Sequence, residues 1–410
     1  MLDSQYDVVV IGAGPGGSVA ARNLAREGHK VLLLEKREKI GYPVRCGEAS
    51  TKLSDLQTYG PIDESCIESI INGLYIYGPD GVNIELPQPG TGIMLDREKF
   101  DPWLAKLASD DGAELVCAAR ADFVSDVEGS GKDGFRNVRV ILGKGNGDGS
   151  VTETSTREIR ARMVIAADGV ESRIGRMVGL DCLQKPNGTC TGIDIQVDGM
   201  LTRPDYLTFW QGHDFINDGY IWSFPKQKSN DTKFGAGFLI PKVSGPSIYE
   251  VTMEWLDKLF PGAKINKVVG GVIPVSSILK QYTLDRFALV GDAAHHTNPL
   301  TGGGIAAAMR AGRFCALTVH EGLTANSGEA ASLSQKYLRL YERRCYDYFG
   351  KMHDFENKFR KFLLAIDKPT QVGLYKVLQG FALGGCKKRS FLKTPVQTAK
   401  YLYKFWRFKG

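Results

Sequence analysis

The chain has 410 residues, enough for two or three hydrophobic cores at roughly 100–200 residues per domain. Its 43% hydrophobic and 24% charged residues exclude a long disordered or fibrous protein, and a net charge of +6 is too modest to predict a nucleic-acid partner. Eight scattered cysteines, with no Cys-x-x-Cys pair and no His/Cys cluster at zinc spacing, exclude a zinc module and a secreted disulfide framework. No apolar run approaches the roughly 18 residues of a membrane span, and a strand-like run begins already at Val8, so neither a leader nor a span is expected. The expected location is cytoplasmic, free or peripheral on the cytoplasmic membrane face.

In chain order, Asp7-Val-Val-Val-Ile-Gly12-Ala-Gly14-Pro-Gly16-Gly17-Ser18 reads as a strand, a glycine turn and a helix start. The helix is expected from about Pro15 to Glu27, with Gly28 as its stop, and a second strand, Val31–Leu34, ends at Glu35. Gly12 permits the tight turn, Gly14 lets the backbone approach a pyrophosphate, and Gly17 lets the helix pack on the strand. The helix N-terminus offers unbonded N–H groups and the positive end of its dipole to phosphates. Glu35 lies 23 positions after Gly12, where its carboxylate can accept both ribose hydroxyls. This βαβ fingerprint predicts dinucleotide binding but does not choose between NAD and FAD.

Leu95–Ala108 reads as a helix capped by Asp96, followed by a strand at Glu114–Val116. Strands at Val138–Leu142 and Val151–Ile159 flank the glycine-rich Gly143–Ser150, which predicts a hairpin loop rather than a second nucleotide site. No dedicated NAD(P)H domain is therefore expected. Arg162–Asp168 is a strand that runs into an Asp168-Gly169 turn. From Leu183 to Pro274 short alternating strands (Gly192–Val197, Asp205–Trp210, Gly219–Phe224, Lys233–Ile240) predict an antiparallel sheet. Within it Tyr220, Trp222 and Phe224 share one face, Pro225 ends the strand, and Lys226 is placed to reach a phosphate. The plain reading of that stripe is core.

Asp285–His295 is a strand that ends in Gly291-Asp292, followed by the turn Gly302-Gly303-Gly304 and an alanine-rich helix. A helix that starts near Gly303 would aim its positive end at an anion. The adjacent His295 and His296 make a poor metal face and are expected to shape this loop; no metal site is expected. Beyond Tyr341 the pattern is helical, with Phe355, Phe359, Phe362 and Leu363 at core-packing spacing. From Cys386 to Gly410 eight Lys/Arg and no acid interleave with Phe391, Tyr401, Tyr403, Phe405, Trp406 and Phe408. Such a tail suits either an anionic membrane surface or an amphipathic helix docked on the body.

The Gly12 fingerprint, the Asp168-Gly169 turn and the Gly291-Asp292 segment with its glycine turn resemble, in order, the three motifs of the p-hydroxybenzoate-hydroxylase-like flavoproteins. The resemblance covers most of residues 6–320 and implies an α/β fold: a discontinuous Rossmann-like FAD-binding domain, an antiparallel-sheet substrate domain and a C-terminal helical region. The corresponding segments are 1–72, 95–182 and 275–325; 73–94 and 183–274; and 326–410. It implies FAD as cofactor, with contacts from Gly12, Gly14, Gly16, Gly17, Glu35 and Lys36. Further contacts come from Arg45, Cys46, Gly47, Arg97, Ala121, Asp168, Gly169, Asp292, Gly303, Gly304 and Ile305. In such flavoproteins Arg97 would stand near the cofactor phosphates and Ala121 would meet the adenine through its backbone.

Two segments narrow the resemblance. Tyr220-x-Trp222-x-Phe224-Pro225-Lys226 is similar to the substrate wall of geranylgeranyl reductases, and Gly41-Tyr-Pro-Val-Arg45-Cys46-Gly47-Glu48 resembles that family's Cys-Gly-Glu loop. The family implies reduction of geranylgeranyl chains on archaeal-type membrane-lipid precursors, by hydride from reduced flavin plus a proton. Tyr220, Trp222, Phe224 and Lys226 would then contact substrate, and Cys46 would be catalytic, with Glu48 and a water as other proton donors. The expected partners are a geranylgeranyl lipid, an external electron donor (ferredoxin or another reductant) and a membrane surface. A flavin monooxygenase or halogenase and a non-catalytic prenyl-lipid carrier are the competing readings; the halogenase Trp-x-Trp-x-Ile-Pro segment differs here in its first Trp and its Ile, and a carrier would show decayed FAD motifs.

Overall fold

The computed structural model describes residues 2–146, 150–239, 245–384, 404, 405, 407 and 408. The chain divides into two compact units. The first comprises Met1–Val44, Arg97–Lys185 and Pro274–Asp354; the second comprises Arg45–Asp96, Pro186–Ile273 and Phe355–Gly410.

The first unit is built on an eight-stranded sheet. Its main path runs Thr283–Leu284, Phe287–Leu289, Ser150–Ala166, Gln5–Ile11, Val31–Leu34, Glu114–Val116. The last five of these pair in parallel. Ala119–Val124 and Arg136–Asn146 extend the sheet by antiparallel pairing onto Ser150–Ala166. Parallel strands covered on both faces need continuous apolar runs, and Val8, Val9, Val10, Leu32, Leu33, Val164 and Ile165 are all fully buried. Two helices, Pro15–Arg26 and Ile305–Thr324, pack on each other. A Cβ at Gly312 would lie 2.3 Å from the Gly16 carbonyl oxygen, so the helices approach backbone to backbone.

The second unit carries the other eight-stranded sheet, in the order Ile265–Pro274, Thr189–Asp198, Asp231–Leu239, Ile216–Lys226, Tyr206–Gly212, Ile67–Tyr77, Asn83–Leu95, Ala49–Ser50. It departs from the expected antiparallel pattern where Tyr206–Trp210 pairs in parallel with Gly73–Tyr77. One face carries Ile195, Val197, Trp210, Ile221, Phe234 and Ala236, packed around Leu256. Leu256 comes from the Ile248–Leu259 helix, which starts in a Ser247/Glu250 capping box. The opposite face carries Tyr220, Trp222 and Phe224 with Phe209.

Two divisions of the chain differ from those read in the sequence. Residues 45–72 lie in the second unit because Ile67–Tyr77 is one strand, paired along its length with Asn83–Leu95. Residues 326–354 lie in the first unit because the Gln335–Cys345 helix buries Leu338, Tyr341 and Cys345 in that unit's core. There Tyr341 donates a 2.9 Å hydrogen bond to the Leu289 carbonyl. The helix expected from Leu95 spans Arg97–Asp110, since Leu95 completes a strand. The expected hairpin is formed, Arg136–Asn146 pairing antiparallel with Ser150–Ala166 as far as Asn146 opposite Ser150, with 147–149 outside the described residues; most of the tail from Cys386 also lies outside them.

Candidate active site

In the first unit the fingerprint turn sits at the carboxyl end of Gln5–Ile11, where the sheet order reverses and open α/β sheets bind ligands. Gly12 has φ +106°, and a Cβ there would lie 2.4 Å from the Ala167 carbonyl oxygen, so only glycine fits. A Cβ at Gly17 would meet the Gly12 oxygen at 1.9 Å. At Gly14 the reason is different. A Cβ there has nothing within 4 Å, and Gly14 is the N-cap of the Pro15–Arg26 helix with no side-chain cap. The helix N-terminus therefore opens onto space that a side chain would fill and a phosphate can use.

Glu35 follows the Val31–Leu34 strand. Its carboxylate accepts from Ala13 N–H at 3.1 Å and Arg37 N–H at 2.9 Å, which fixes it against the turn. Its backbone N–H bonds to Val116, and its carbonyl accepts from Ala119 N–H. Ala121 lies two residues on, opposite Val140 at a bulge. Asp168 lies two residues past the end of the Ser150–Ala166 strand, beside Gly12. One carboxylate oxygen accepts from Ile174 N–H at 3.0 Å; the other is buried with no hydrogen-bond partner among the described residues. Burial raises the Asp168 pKa, partly offset by backbone N–H groups and by Lys36. Arg97 forms a bidentate pair with the buried Asp101, at 3.1 and 2.7 Å, so its guanidinium is engaged within its own helix.

The third motif closes the same end of the sheet. Asp292 Oδ1 accepts from Thr297 Oγ1 at 2.6 Å, and Gly304 packs so closely that a Cβ would stand 3.1 Å from that oxygen. Gly304 is the N-cap of the Ile305–Thr324 helix, again without a side-chain cap, and a Cβ at Gly303 would meet only Thr301 Oγ1, at 3.3 Å. Asn298 shapes the turn: its Oδ1 accepts from Leu300 and Thr301 N–H at 2.9 Å. Thr297 and Asn298 were not singled out in the sequence, though the Asn-Pro dipeptide at 298–299 is a turn signal. His295 bonds Ser276 and Gln184, and His296 Nδ1 accepts from Gly291 N–H at 3.1 Å, so both histidines brace this loop. No group of His, Cys, Asp and Glu among the described residues could hold a metal ion.

In the second unit Trp222 stacks on Phe224 with ring centroids 6.2 Å apart and meets Tyr220 edge-on at 5.8 Å. Phe209 packs edge-on against Tyr220 and Phe224. Glycines on the adjoining strands make room for the indole: a Cβ at Gly235 would lie 2.3 Å from Trp222 Cζ2. Trp222 Nε1 donates to Asp194 Oδ2 at 3.4 Å. The loop with Arg45, Cys46, Gly47 and Glu48 belongs to this unit. A Cβ at Gly47 would meet the Phe224 ring at 3.2 Å and Trp222 Nε1 at 3.5 Å. A Cβ at Gly271 would lie 3.7 Å from Arg45 Cβ. Glu48 N–H donates to Cys46 Sγ at 3.3 Å, in a turn where Glu48 takes φ +64°.

That turn drives the Glu48 carboxylate into a buried charge network. Lys226 Nζ stands 3.0 Å from Glu48 and 3.9 Å from Glu68; Lys233 Nζ stands 3.4 Å from Glu48 and 3.0 Å from Asp194. All five side chains are at most 7% exposed. Burial raises the Asp194 pKa against the opposing pull of Lys233. Burial would lower the Lys233 pKa, but Asp194 and Glu48 together raise it. Lys226 is thus spent on carboxylates and does not extend toward a phosphate. Asp194 and Lys233 escaped the sequence reading; the signal was a lone acid on the polar side of the apolar 193, 195, 197 alternation.

An orphaned Asp168 oxygen, a glycine turn open at Gly14 and two uncapped helix N-termini after the strands on either side of Ser150–Ala166 fit a bound dinucleotide, and with the Asp292 segment they define an FAD-binding flavoprotein. The FAD binding domain family matches residues 5–218. The chain is 34% identical over 92% of each chain to digeranylgeranylglycerophospholipid reductase of Methanocella arvoryzae. It is 36% identical to the protein of that name from Methanosarcina acetivorans, over 86% of this chain and 82% of the relative. Among solved structures it resembles a geranylgeranyl bacteriochlorophyll reductase-like protein of Thermoplasma acidophilum, with TM-score 0.83 and 30% identity over 98% and 99% of the two chains. A flavin-dependent brominase matches at TM-score 0.66 and 18% identity over 97% and 100% of the two chains, a likeness of fold alone. The chain belongs to the digeranylgeranylglycerophospholipid reductase family, and FAD is its cofactor.

Proposed function

We propose that the protein hydrogenates carbon–carbon double bonds of geranylgeranyl chains on archaeal-type membrane-lipid precursors. The observation that carries this reading is the Tyr220–Trp222–Phe224 face with the Cys46–Glu48 turn packed against it. A prenyl chain has no polar handle at its double bonds, so apolar contact and shape must position it. Cofactor contacts are assigned to the fingerprint glycines, Glu35, Lys36, Arg97, Ala121, Asp168, Gly169, Asp292, Gly303, Gly304 and Ile305, with Arg45, Cys46 and Gly47 contributing from their loop.

Reduced FAD, when bound, supplies a hydride from its N5. An isolated alkene is not electrophilic, so a proton must reach one carbon as positive charge grows on the other. The Trp222 and Tyr220 rings stabilise that charge by cation–π attraction. Asp194 anchors the indole through Nε1, and Lys233 holds Asp194 in turn. Cys46 is assigned the proton transfer, with Glu48 and a bound water as alternatives. Lys226 is assigned to orient Glu48. Two electrons from an external donor, ferredoxin or another reductant, complete each cycle. Peripheral attachment to the cytoplasmic membrane face would bring lipid to the site, and no helix among the described residues is long and apolar enough to cross a membrane.

The test separates the two half-reactions. Trp222→Ala should slow alkene reduction by about 30-fold, the worth of roughly 2 kcal/mol of cation–π stabilisation, while dithionite reduces the flavin at the wild-type rate. Cys46→Ala should depress turnover at every double bond at saturating lipid. Wild-type rates and product patterns for both variants would remove these residues from the site.

A further inference from the structure

Arg360, on the Lys351–Ala365 helix, is 9% exposed. Its Nη2 donates to Asn357 Oδ1 at 2.9 Å and to the Asn187 carbonyl at 3.4 Å. Its Nε and Nη1 are buried and have no hydrogen-bond partner among the described residues. No carboxylate among the described residues acts on it: burial lowers its pKa, opposed by Cys190. That thiol is no counter-ion. It donates to the Thr191 carbonyl, and burial pushes its pKa up to about 12, so it is neutral at ordinary pH. A guanidinium keeps its charge, and a buried charge without a partner is retained only at a cost in folding.

The position of this group gives the cost a purpose. Cys190 packs over Gly237, where a Cβ would lie 3.2 Å from its sulfur and 3.4 Å from Trp222 Cζ3. Gly237 is the cross-strand partner of Tyr220. The Tyr220 hydroxyl lies within electrostatic range of the Cys190 and Cys46 sulfurs. Arg360, Cys190, Tyr220 and Cys46 thus succeed one another within the second unit, at the end of the aromatic stripe away from Lys226. Lys226 and Lys233 are already matched to carboxylates; Arg360 is not.

We propose that Arg360 is the anion anchor of the substrate site, its unmatched Nε and Nη1 donors binding the phosphate or diphosphate head of a prenyl lipid. The proposal rests on the reductase reading for the identity of the chain attached to that head. Guanidinium is suited to phosphate because it offers several directed N–H donors and is easily desolvated. The anion completes the charge balance that the fold leaves open, and the prenyl chain runs from it along Tyr220 and Trp222.

Binding, measured by quenching of tryptophan fluorescence in the FAD-loaded protein, tests this without turnover. The probes are geranylgeranyl diphosphate, uncharged geranylgeraniol and inorganic diphosphate. Wild type should prefer geranylgeranyl diphosphate over geranylgeraniol, and Arg360→Met should reduce that preference about 30-fold, as for loss of charge-assisted hydrogen bonds. Arg360→Lys should restore part of it. Competition by inorganic diphosphate in wild type but not in Arg360→Met would make the site a general phosphate anchor. Competition in neither would make it specific for a lipid head. An unchanged preference in Arg360→Met, or equal loss of both prenyl ligands, overturns the proposal. Preferential binding without any reduction of either prenyl ligand would instead leave the anchor standing and sink the reductase reading.

Discussion

His296 shows how one residue ties the site's loop to acid stability. It is buried, its Nδ1 accepts the Gly291 N–H, and Tyr282, Tyr341 and Phe349 surround it edge-on. Burial lowers its pKa to about 3, and burial likewise lowers that of His353 to about 4. Both values lie below the ordinary 6.5, so between those limits the unfolded chain binds protons that the folded chain refuses. Stability is full above about pH 6.5 and falls as pH drops, by about 1.4 kcal/mol per pH unit for each histidine. Urea midpoints recorded from pH 7 downward should show this decline. In His296→Asn, which keeps an acceptor for Gly291, the slope should lessen by one histidine's share; an unchanged slope would exclude His296 as a source.

At the scale of elements, two helix N-termini without side-chain caps are the most consequential feature of the first unit. An unsatisfied helix start is normally capped by Ser, Thr, Asp or Asn. Here Gly14 and Gly304 take those positions and leave the N–H groups to a ligand. Gly14→Val would place a side chain in the space before the Pro15–Arg26 helix, where nothing of the protein lies within 4 Å of a Cβ. The fold should survive, since no atom is displaced, but flavin should be lost. Absorbance of the purified variant near the flavin bands checks this against its circular dichroism. Full flavin occupancy would mean that the phosphates lie elsewhere.

For the whole molecule, the peripheral membrane attachment proposed above would be a matter of charge distribution. The modest net charge of +6 hides eight Lys/Arg without an acid between Cys386 and Gly410. At roughly 1 kcal/mol per basic residue near an anionic surface, such a tail can hold a protein at a membrane and release it in salt. Flotation with anionic liposomes should show binding by the full chain at low salt and its loss at high salt. Protein truncated before Cys386 should bind weakly throughout; equal binding by both forms would exclude the tail.

The sequence by itself determined the cofactor, because the constraints on its binding motifs are local. A φ of +106° at Gly12, an open, uncapped helix start at Gly14 and an acid after the second strand each select a residue type within one turn. The aromatic stripe was legible for the same reason, strand alternation being a period of two. Only tertiary structure decided the rest. Pro87, Pro89 and Gly90 are residue types that ordinarily weaken a strand, yet they lie in the Asn83–Leu95 strand, whose ladder with Ile67–Tyr77 shifts register at Ile71/Gly73. The roles of Glu48, Asp194, Lys226 and Lys233 depend on four separate segments meeting on one sheet face. No local pattern reveals that Lys226 is neutralised and Arg360 is not, because both read in sequence as a base beside aromatic residues. Burial and the distance to the nearest carboxylate distinguish them, and those are properties of the assembled chain.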